Sequence, residues 1–474
     1  MPNIFGLRKG LYQPAWEACG PSRTYIAGVN TAMADLSSPV PVVFHPYTGN
    51  ASYAYYPQDD AFILIGTITT ANVSEDACLV WHPNGPTGTV TSATSLSITT
   101  NYTSTRPLAP YVLRLTGGTG AGQERTVASN TVGANTVFTV TEPWDTTPDA
   151  TTTWVLRSGT LYSLTTGTVA TGSFRKFDVA SYTGSNLGVT GLPATWASGV
   201  GADMVAPCIR AFSSGRASSG GASTLTDTSK NWSLSWANYA VRITGGTGAG
   251  QVRTILSSTT NQLTVAIAWA TAPDSSSTYV IEANEDHIYL VGNASSTVYR
   301  YTISTNTWLA LTTSGARTAT PGRGCTLNYV DQDPSPLWTD ENACLNGRYL
   351  YSLCGGQVAG FDRLDISSYT WSAAPGAFSD FATYGLGTCT VYAFGNIYIQ
   401  KDGSGSFYKY RPSEAAMKPF GWWPDSSFVS AFIVTRLAAK RLFAAQYQEN
   451  GVTIRRIYCG VSNGAALYSI QECD

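Results

Sequence analysis

The sequence runs His287-Ile-Tyr-Leu-Val-Gly292 and, after a short gap, Val298-Tyr-Arg-Tyr-Thr-Ile-Ser-Thr-Asn-Thr-Trp308. The first part is an apolar run that ends in glycine, as expected for a strand entering a hairpin. Alternation in the second part places two tyrosines and an isoleucine on one strand face and a mixed set of side chains on the other. The segment therefore predicts two antiparallel strands, a polar turn, and a tryptophan that opens a third strand.

The same pattern recurs along the chain. Good or partial copies lie at Leu161–Tyr182, Tyr349–Trp371 and Ile397–Trp423, and weaker ones pair Ala61–Gly66 with Leu79–Trp81 and Arg441–Phe443 with Ile454–Tyr458. These residues resemble the kelch repeat, which implies an all-β, kelch-like β-propeller of about six blades. The resemblance places Trp308 and Trp371 at equivalent buried positions of successive blades. A strand near Pro41–Phe44 is expected to join the first and last blades.

A second repeat is a duplicated module. Arg114–Thr126 and Arg242–Thr254 are nearly identical, and the similarity continues through a tryptophan, a Pro-Asp pair and a closing apolar strand. We predict two inserted β modules at 86–157 and 213–283, which share one fold and project from neighbouring blades as separate lobes. Residues 1–85, 158–212 and 284–474 then form the propeller.

Each module contains a glycine-rich loop. Gly117-Gly-Thr-Gly-Ala-Gly122 has the frame of a phosphate-binding loop, but Gln123 stands where that motif requires lysine, and a strand-like run follows where a helix is needed. We interpret both loops as structural turns, in which glycines let two backbones approach and the flanking glutamine and arginines bond to loop carbonyls. The glycines of these turns are Gly117, Gly118, Gly120, Gly122, Gly245, Gly246, Gly248 and Gly250.

The sequence offers little material for catalysis. Its three histidines, His45, His82 and His287, are widely separated, and no cysteine, histidine or carboxylate cluster has metal-ligand spacing. The adjacent carboxylates Asp59-Asp60 and Glu285-Asp286 fall in turns before strands, where aspartate bonds to local backbone. We therefore predict that the protein is not an enzyme and has no catalytic residue, cofactor or metal.

The amino-acid composition limits the classes of partner that the protein is expected to bind. Only 12% of residues are charged and the net charge is −2, so the chain lacks the excess of basic residues typical of nucleic-acid-binding proteins. The sequence also lacks the apolar runs of a signal peptide or a membrane span, and we expect neither. Nine cysteines favour buried thiols, with Cys344/Cys354 and Cys459/Cys473 as candidate disulfides. Exposed aromatic residues could stack on sugars, and candidates are Tyr55, Tyr56, Trp338, Trp422 and Trp423.

The Gly-Gly-Thr-Gly-Ala-Gly-Gln module is similar to short β-rich insertions in structural proteins of tailed bacteriophages, and kelch-like propellers resemble the tail nozzle subunits of short-tailed phages. The resemblance implies a virion tail protein, assembled in the host cytoplasm as a cyclic, hexameric ring around the DNA exit channel. Its expected partners are copies of itself, an adaptor or fibres, and DNA that passes without sequence-specific binding. Two alternatives are a receptor- or glycan-binding tail fibre, spike or head-decoration protein, and a cellular kelch interaction protein.

Overall fold

The computed structural model describes most of the chain. The described residues are 17–18, 51–56, 61–66, 78–164, 174–181, 183–193, 202–207, 211–292, 295–322, 325–331, 346–355, 358–376, 388–400, 406–422, 441–449, 452–461 and 466–471. Within them the secondary structure is antiparallel β apart from one 3₁₀ turn at Pro412–Glu414, and no helix is long and apolar enough to cross a membrane. The predicted all-β class is confirmed.

Six sheets, numbered as blades in chain order, form the propeller. Blade 1 is the strand pair β2 (Ala51–Tyr56) and β3 (Ala61–Gly66), and the other blades have four strands each. Blade 2 consists of β4 (Cys78–His82), β11 (Thr160–Leu164), β12 (Phe174–Asp178) and β13 (Thr183–Asn186), and blade 3 of β14 (Ala202–Val205), β22 (His287–Gly292), β23 (Ser295–Thr302) and β24 (Thr307–Leu311). Blade 4 consists of β25 (Asn328–Tyr329), β26 (Tyr349–Leu353), β27 (Phe361–Asp365) and β28 (Thr370–Ala373), and blade 5 of β29 (Cys389–Ala393), β30 (Asn396–Gln400), β31 (Ser406–Arg411) and β32 (Ala416–Trp422). Blade 6 consists of β33 (Arg441–Glu449), β34 (Val452–Val461), β35 (Ala466–Gln471) and β1 (Glu17–Ala18).

The blades close into a ring through their first strands. β2 contacts β4 and β33, β4 contacts β14, β25 contacts β29, and β29 contacts β33. Blades 3 and 4 meet where the backbone N–H of Leu327 donates to Asp203 at 2.8 Å. β1 pairs with β35, so an N-terminal strand completes the last blade. The predicted closing strand at Pro41–Phe44 lies outside the described residues. Leu79–Trp81 lies in blade 2, not with Ala61–Gly66 as predicted.

Aromatic side chains fill the space between blades, because strands with one aromatic face must bury that face against a neighbour. Phe174 of blade 2 packs edge-on against Tyr301 of blade 3, with ring centroids 4.8 Å apart. Phe361 and Tyr410 repeat this contact between blades 4 and 5 at 4.9 Å. Each contact buries strand faces that the sequence pattern had marked as aromatic.

The two blade tryptophans occupy the same register position. Trp308 is the second residue of β24 and pairs with Tyr301, and Trp371 is the second residue of β28 and pairs with Leu364. Both indoles are buried. The polar turn before each tryptophan contains a residue with positive φ, Asn306 or Tyr369.

The two inserted modules interrupt blades 2 and 3 at the same place, between the first and second strands. Module 1 is a closed six-stranded barrel with β5 (Thr87–Ala93), β6 (Ser97–Thr100), β7 (Val112–Gly117), β8 (Glu124–Asn130), β9 (Val137–Val140) and β10 (Thr153–Arg157). Module 2 has the same strand order with β15 (Ala211–Arg216), β16 (Ser219–Gly221), β17 (Thr224–Thr226), β18 (Ala240–Gly245), β19 (Val252–Ser258), β20 (Gln262–Val265) and β21 (Thr278–Glu282). Its β15 and β16 together replace β5 of module 1.

The modules do not project as separate lobes, which corrects that expectation. The phenol of Tyr239 in module 2 donates to the carbonyl oxygen of Gly347 in blade 4 at 2.9 Å, and Phe212 packs on the same glycine. In module 1, Arg106 donates to the carbonyl oxygens of Val179 and Ala180 in the β12–β13 turn. The expectation failed because it treated the modules as self-contained cores, whereas each buries residues against the propeller.

Candidate functional site: the paired glycine loops

The two glycine loops have the same backbone geometry. Gly118 and Gly246 both have φ +72°, and Gly120 and Gly248 have φ +77° and +78°. A Cβ at Gly118 would overlap the carbonyl oxygen of Thr151, and one at Gly246 would overlap that of Ser276. Only glycine suits such positions, because the backbone is left-handed and a neighbouring strand end lies against it.

The remaining loop glycines also meet close neighbours. A Cβ at Gly117 would lie 2.8 Å from the hydroxyl of Thr153, and one at Gly245 would lie 2.9 Å from that of Thr278. Gly122 and Gly250, at the end of each loop, have φ +91° and +84°. All eight glycines named from the sequence therefore lie in turns or at strand ends.

A glutamine holds each loop closed. The Gln123 amide donates to the carbonyl oxygens of Gly120 and Thr146, both at 2.9 Å, while its oxygen accepts the Asp145 N–H at 2.7 Å. Gln251 makes the matching bonds to Gly248 and Thr271. The glutamine thus occupies the lysine position of a phosphate-binding loop, but its amide forms hydrogen bonds with the loop backbone.

An aspartate fixes the other side of each loop. Asp149 accepts hydrogen bonds from the hydroxyls of Thr151 and Thr119, and these bonds lower the pKa of its carboxyl. Asp274 accepts from Ser276 and Thr247 in the same way, and its pKa is also lowered. The Pro-Asp pair that appeared in both sequence copies is therefore a turn-closing element.

The two loops contact each other. A Cβ added at Gly250 of module 2 would overlap the Cβ of Ala121 in module 1, and one at Gly122 would lie 3.7 Å from the carbonyl oxygen of Thr244. The loops therefore lie side by side, and the two modules contact each other directly.

A buried charge cluster joins the barrels beside the loops. Glu282 of β21 binds the guanidinium of Arg242 with two bonds of 3.0 Å, and Arg114 of module 1 approaches the same carboxylate at 3.6 Å. Arg114 and Arg242 are equivalent residues of the two modules. Burial and the nearby Arg242 lower the pKa of Arg114, and Glu282 opposes this shift. Glu282 therefore contacts both arginines in the interface, and Glu124 is a second, half-exposed partner of Arg114 at 3.4 Å.

A second cluster ties the entry of module 1 to the exit of module 2. Arg157 donates to Glu285 at 2.8 Å and to the amide oxygen of Asn84 at 2.7 Å. The Asn84 amide donates to Glu285 at 3.0 Å, and the His82 ring lies 2.7 Å from the Glu285 carbonyl oxygen. Burial lowers the pKa of His82, so its imidazole is neutral there. These groups orient the modules on the propeller.

The other candidate residues lie apart. His287 is buried at the start of β22, and burial with the nearby Arg300 lowers its pKa to about 3. Asp286 accepts two hydrogen bonds from Ser304 in a turn. Cys354 is a free, buried thiol, and Cys344 lies outside the described residues. No group of three histidine, cysteine or acidic residues within the described ranges could hold a metal ion.

Sequence reasoning did not identify the two charge clusters. Glu282, Glu285, Arg157 and Asn84 lie at the module boundaries, where no repeat pattern marks them. A signal was present in the duplication itself, because Arg157 and Glu282 occupy equivalent positions with opposite charge. Residues that differ in charge between two copies of one module are candidates for a contact between the copies.

Comparisons with known proteins add little. No protein-family model and no curated protein matches the sequence. A match among solved structures is an auxiliary nutrient binding protein from Bacteroides thetaiotaomicron, which is 10% identical and aligns over 83% of this chain and 97% of its own length, with a TM-score of 0.25. A TM-score at this level supports no argument about fold or function.

Proposed function

We propose that the protein is a structural, non-enzymatic component of a tailed-bacteriophage virion, and specifically a tail nozzle or distal tail-tube subunit. Several copies form a cyclic ring around the DNA exit channel, and other tail proteins bind to the ring. The proposal rests first on the resemblance of the blades to kelch-like nozzle propellers and of the module to phage β insertions.

The observation that carries the proposal is the paired modules. The described part of the chain uses the glycine loops, their glutamines and their aspartates for internal hydrogen bonds, so the loops act as scaffold. The propeller closes its own ring, which leaves loops and inserted modules as the surfaces available to partners. Two barrels fixed to each other and to neighbouring blades form a rigid surface suited to subunit contacts.

The low charge of the chain is compatible with this role. A lining rich in lysine and arginine would hold phosphates and resist DNA movement. The first strands of the blades, which lie nearest the propeller axis, contain one arginine, at 441, and no lysine among the described residues. This supports a passive structural role and does not distinguish among virion positions.

Immunogold electron microscopy tests the proposal. Antibodies raised against the purified chain are applied to intact particles released from the host in which the gene is expressed during infection. We expect gold at the distal end of a short tail, with several copies per particle. Label on side fibres or on the head would overturn the nozzle assignment, and absence of label from all particles would overturn the virion assignment.

A further inference from the structure

Module 2 presents an apolar surface on strand β19 and the residues that follow β20. The side chains of Val252, Leu256 and Ile267 are 42%, 63% and 71% exposed. Ile255 pairs with Val265 and the Ala266 N–H donates to the Thr254 carbonyl, so the segment 266–268 lies beside 252–254. The three exposed side chains therefore lie on one strand and on the segment beside it, and we call this surface the β19 face.

The equivalent surface of module 1, the β8 face, has a different character. Glu124, Ala128 and Glu142 occupy the positions of Val252, Leu256 and Ile267. Module 1 nevertheless forms the same strands in the same order, so the fold does not require exposed apolar side chains there. Large exposed apolar residues that a fold does not need are typical of an interaction surface.

The charged residues of the two faces are complementary. In module 1, Arg125 lies over Trp144 and forms an ion pair with Asp145 at 3.0 Å. In module 2, Arg253 lies over Trp269 in the same way, but alanine replaces the aspartate at position 270, and no carboxylate among the described residues pairs with Arg253.

The β8 face carries more acidic than basic residues. Asp145 pairs there with Arg125 and Glu124 with the buried Arg114, while Glu142 is exposed with no ion-pair partner within the described ranges. The β8 face is therefore net acidic and the β19 face is apolar and net basic, which is the complementarity expected of two surfaces that bind each other.

We infer that the β19 face of one chain docks on the β8 face of a second copy of this chain. The two faces are different surfaces of one protein, so the contact is head-to-tail, and repeated contacts of this kind close into a ring when the rotation allows it. Arg253 then reaches the acidic group around Glu142, while Val252, Leu256 and Ile267 pack on the aliphatic parts of the β8 face. This inference rests on the proposed ring of copies and names its contact.

The first experiment locates the contact by photocrosslinking. Full-length chain carrying a benzophenone amino acid at position 256 is mixed with ¹⁵N-labelled chain without the probe, and crosslinked peptides are identified by mass spectrometry. We expect crosslinks between labelled and unlabelled chains that join position 256 to residues 124–145. Intermolecular crosslinks to another region, or none at the highest soluble concentration, would overturn the inference.

The second experiment measures self-association of the full chain by sedimentation velocity over a concentration series. The triple variant Val252→Glu, Leu256→Ala, Ile267→Glu gives module 2 the residues that module 1 already tolerates, so it should fold. We expect its self-association to weaken by about tenfold or more, as for central interface residues. Leu309→Glu, an exposed apolar residue on the outermost strand of blade 3, is the matched control and should associate like the unmodified chain. Equal association of the triple variant and the control would contradict the inference.

Charge reversal tests the pairing of Arg253 with Glu142. Arg253→Glu alone and Glu142→Arg alone should each weaken association, and the double variant should recover most of it, because the two charges are exchanged across a head-to-tail contact. No recovery would contradict the pairing. Failure here is distinguishable from failure of the proposed function, since gold at the tail tip would remain if only the contact were misplaced.

Discussion

Modules 1 and 2 share a fold, a turn chemistry and an insertion site, yet they differ in what they bury and what they expose. Among the described residues, the core of module 1 includes Val179 and Ala180 from the propeller and no others. The core of module 2 continues into blades 3 and 4 through Phe212, Tyr239 and their neighbours. The difference teaches that the duplicated sequence preserved the residues that close the turns, while the outward faces diverged to serve different contacts.

The largest expected difference is between two carboxylates that contact Arg114, the buried Glu282 of module 2 and the half-exposed Glu124 of module 1. Glu282→Ala should lower the free energy of unfolding by about 3–5 kcal/mol, because it leaves the Arg242 guanidinium uncompensated and Arg114 with only the half-exposed Glu124. Glu124→Ala removes a half-exposed partner of Arg114 and should cost less than about 1 kcal/mol. Urea unfolding of both variants measures the difference. Similar values would mean that the inter-module cluster is not the stabilising contact described here.

The glycine loops should respond equally in the two modules. Gly118→Ala and Gly246→Ala should each cost about 2–3 kcal/mol, since both combine a left-handed backbone with a strand end against the missing side chain. Gly133→Ala is the matched control, because Gly133 has φ +120° but open space around its Cβ position. Thermal and urea unfolding should rank both loop variants below the control. A difference of more than about 1 kcal/mol between the two loops would break their equivalence.

A smaller effect distinguishes the ends of the two loops. Gly250→Ala meets Ala121 of the other module, whereas Gly122→Ala has no atom closer than 3.7 Å. We expect Gly250→Ala to cost about 1–2 kcal/mol more, in line with the cost of overpacking. Adding Ala121→Gly should relieve the contact and recover most of this excess in a double-mutant cycle of unfolding free energies. No recovery would show that the loops do not touch.

The smallest effect is the pH dependence of the two buried histidines, His82 at the entry of module 1 and His287 after module 2. Burial lowers both pKa values in the folded chain, that of His287 to about 3. The unfolded chain then binds more protons below the ordinary histidine pKa, so stability falls as the pH drops from about 6.5 towards 3 for His287. Between pH 6.5 and 5.5 the protonation of His287 should remove about 1 kcal/mol, and that of His82 should act in the same direction.

Histidine substitutions check this dependence. Unfolding free energies of the unmodified chain, His82→Gln and His287→Gln are compared at pH 6.5 and 5.5. Each substitution should reduce the loss of stability on acidification, and His287→Gln should reduce it by about 1 kcal/mol. A variant that keeps the full loss would show that its histidine is not buried in the neutral form.

The internal repeats explain which parts of the fold and of the candidate site could be predicted from the sequence. The duplicated Gly-Gly-Thr-Gly-Ala-Gly-Gln run predicted the turns because its glycines and glutamine act within a few residues of one another. The kelch-like spacing predicted the register of Trp308 and Trp371 for the same reason. The closing strand at Glu17–Ala18 has only two residues, too short for any periodicity. Contacts such as Arg114 with Glu282 join distant segments through the relative placement of whole barrels, which a single sequence does not specify.

Cryo-electron microscopy of the native particle tests the central claim most directly. The account predicts a closed ring of copies at the distal end of the tail, with the β19 face of each chain, around Leu256, against the β8 face of the next, around Glu142. It also predicts that both modules lie between neighbouring propellers. A map that places the chain in a trimeric side fibre, or in the ring with both faces exposed to solvent, would contradict it.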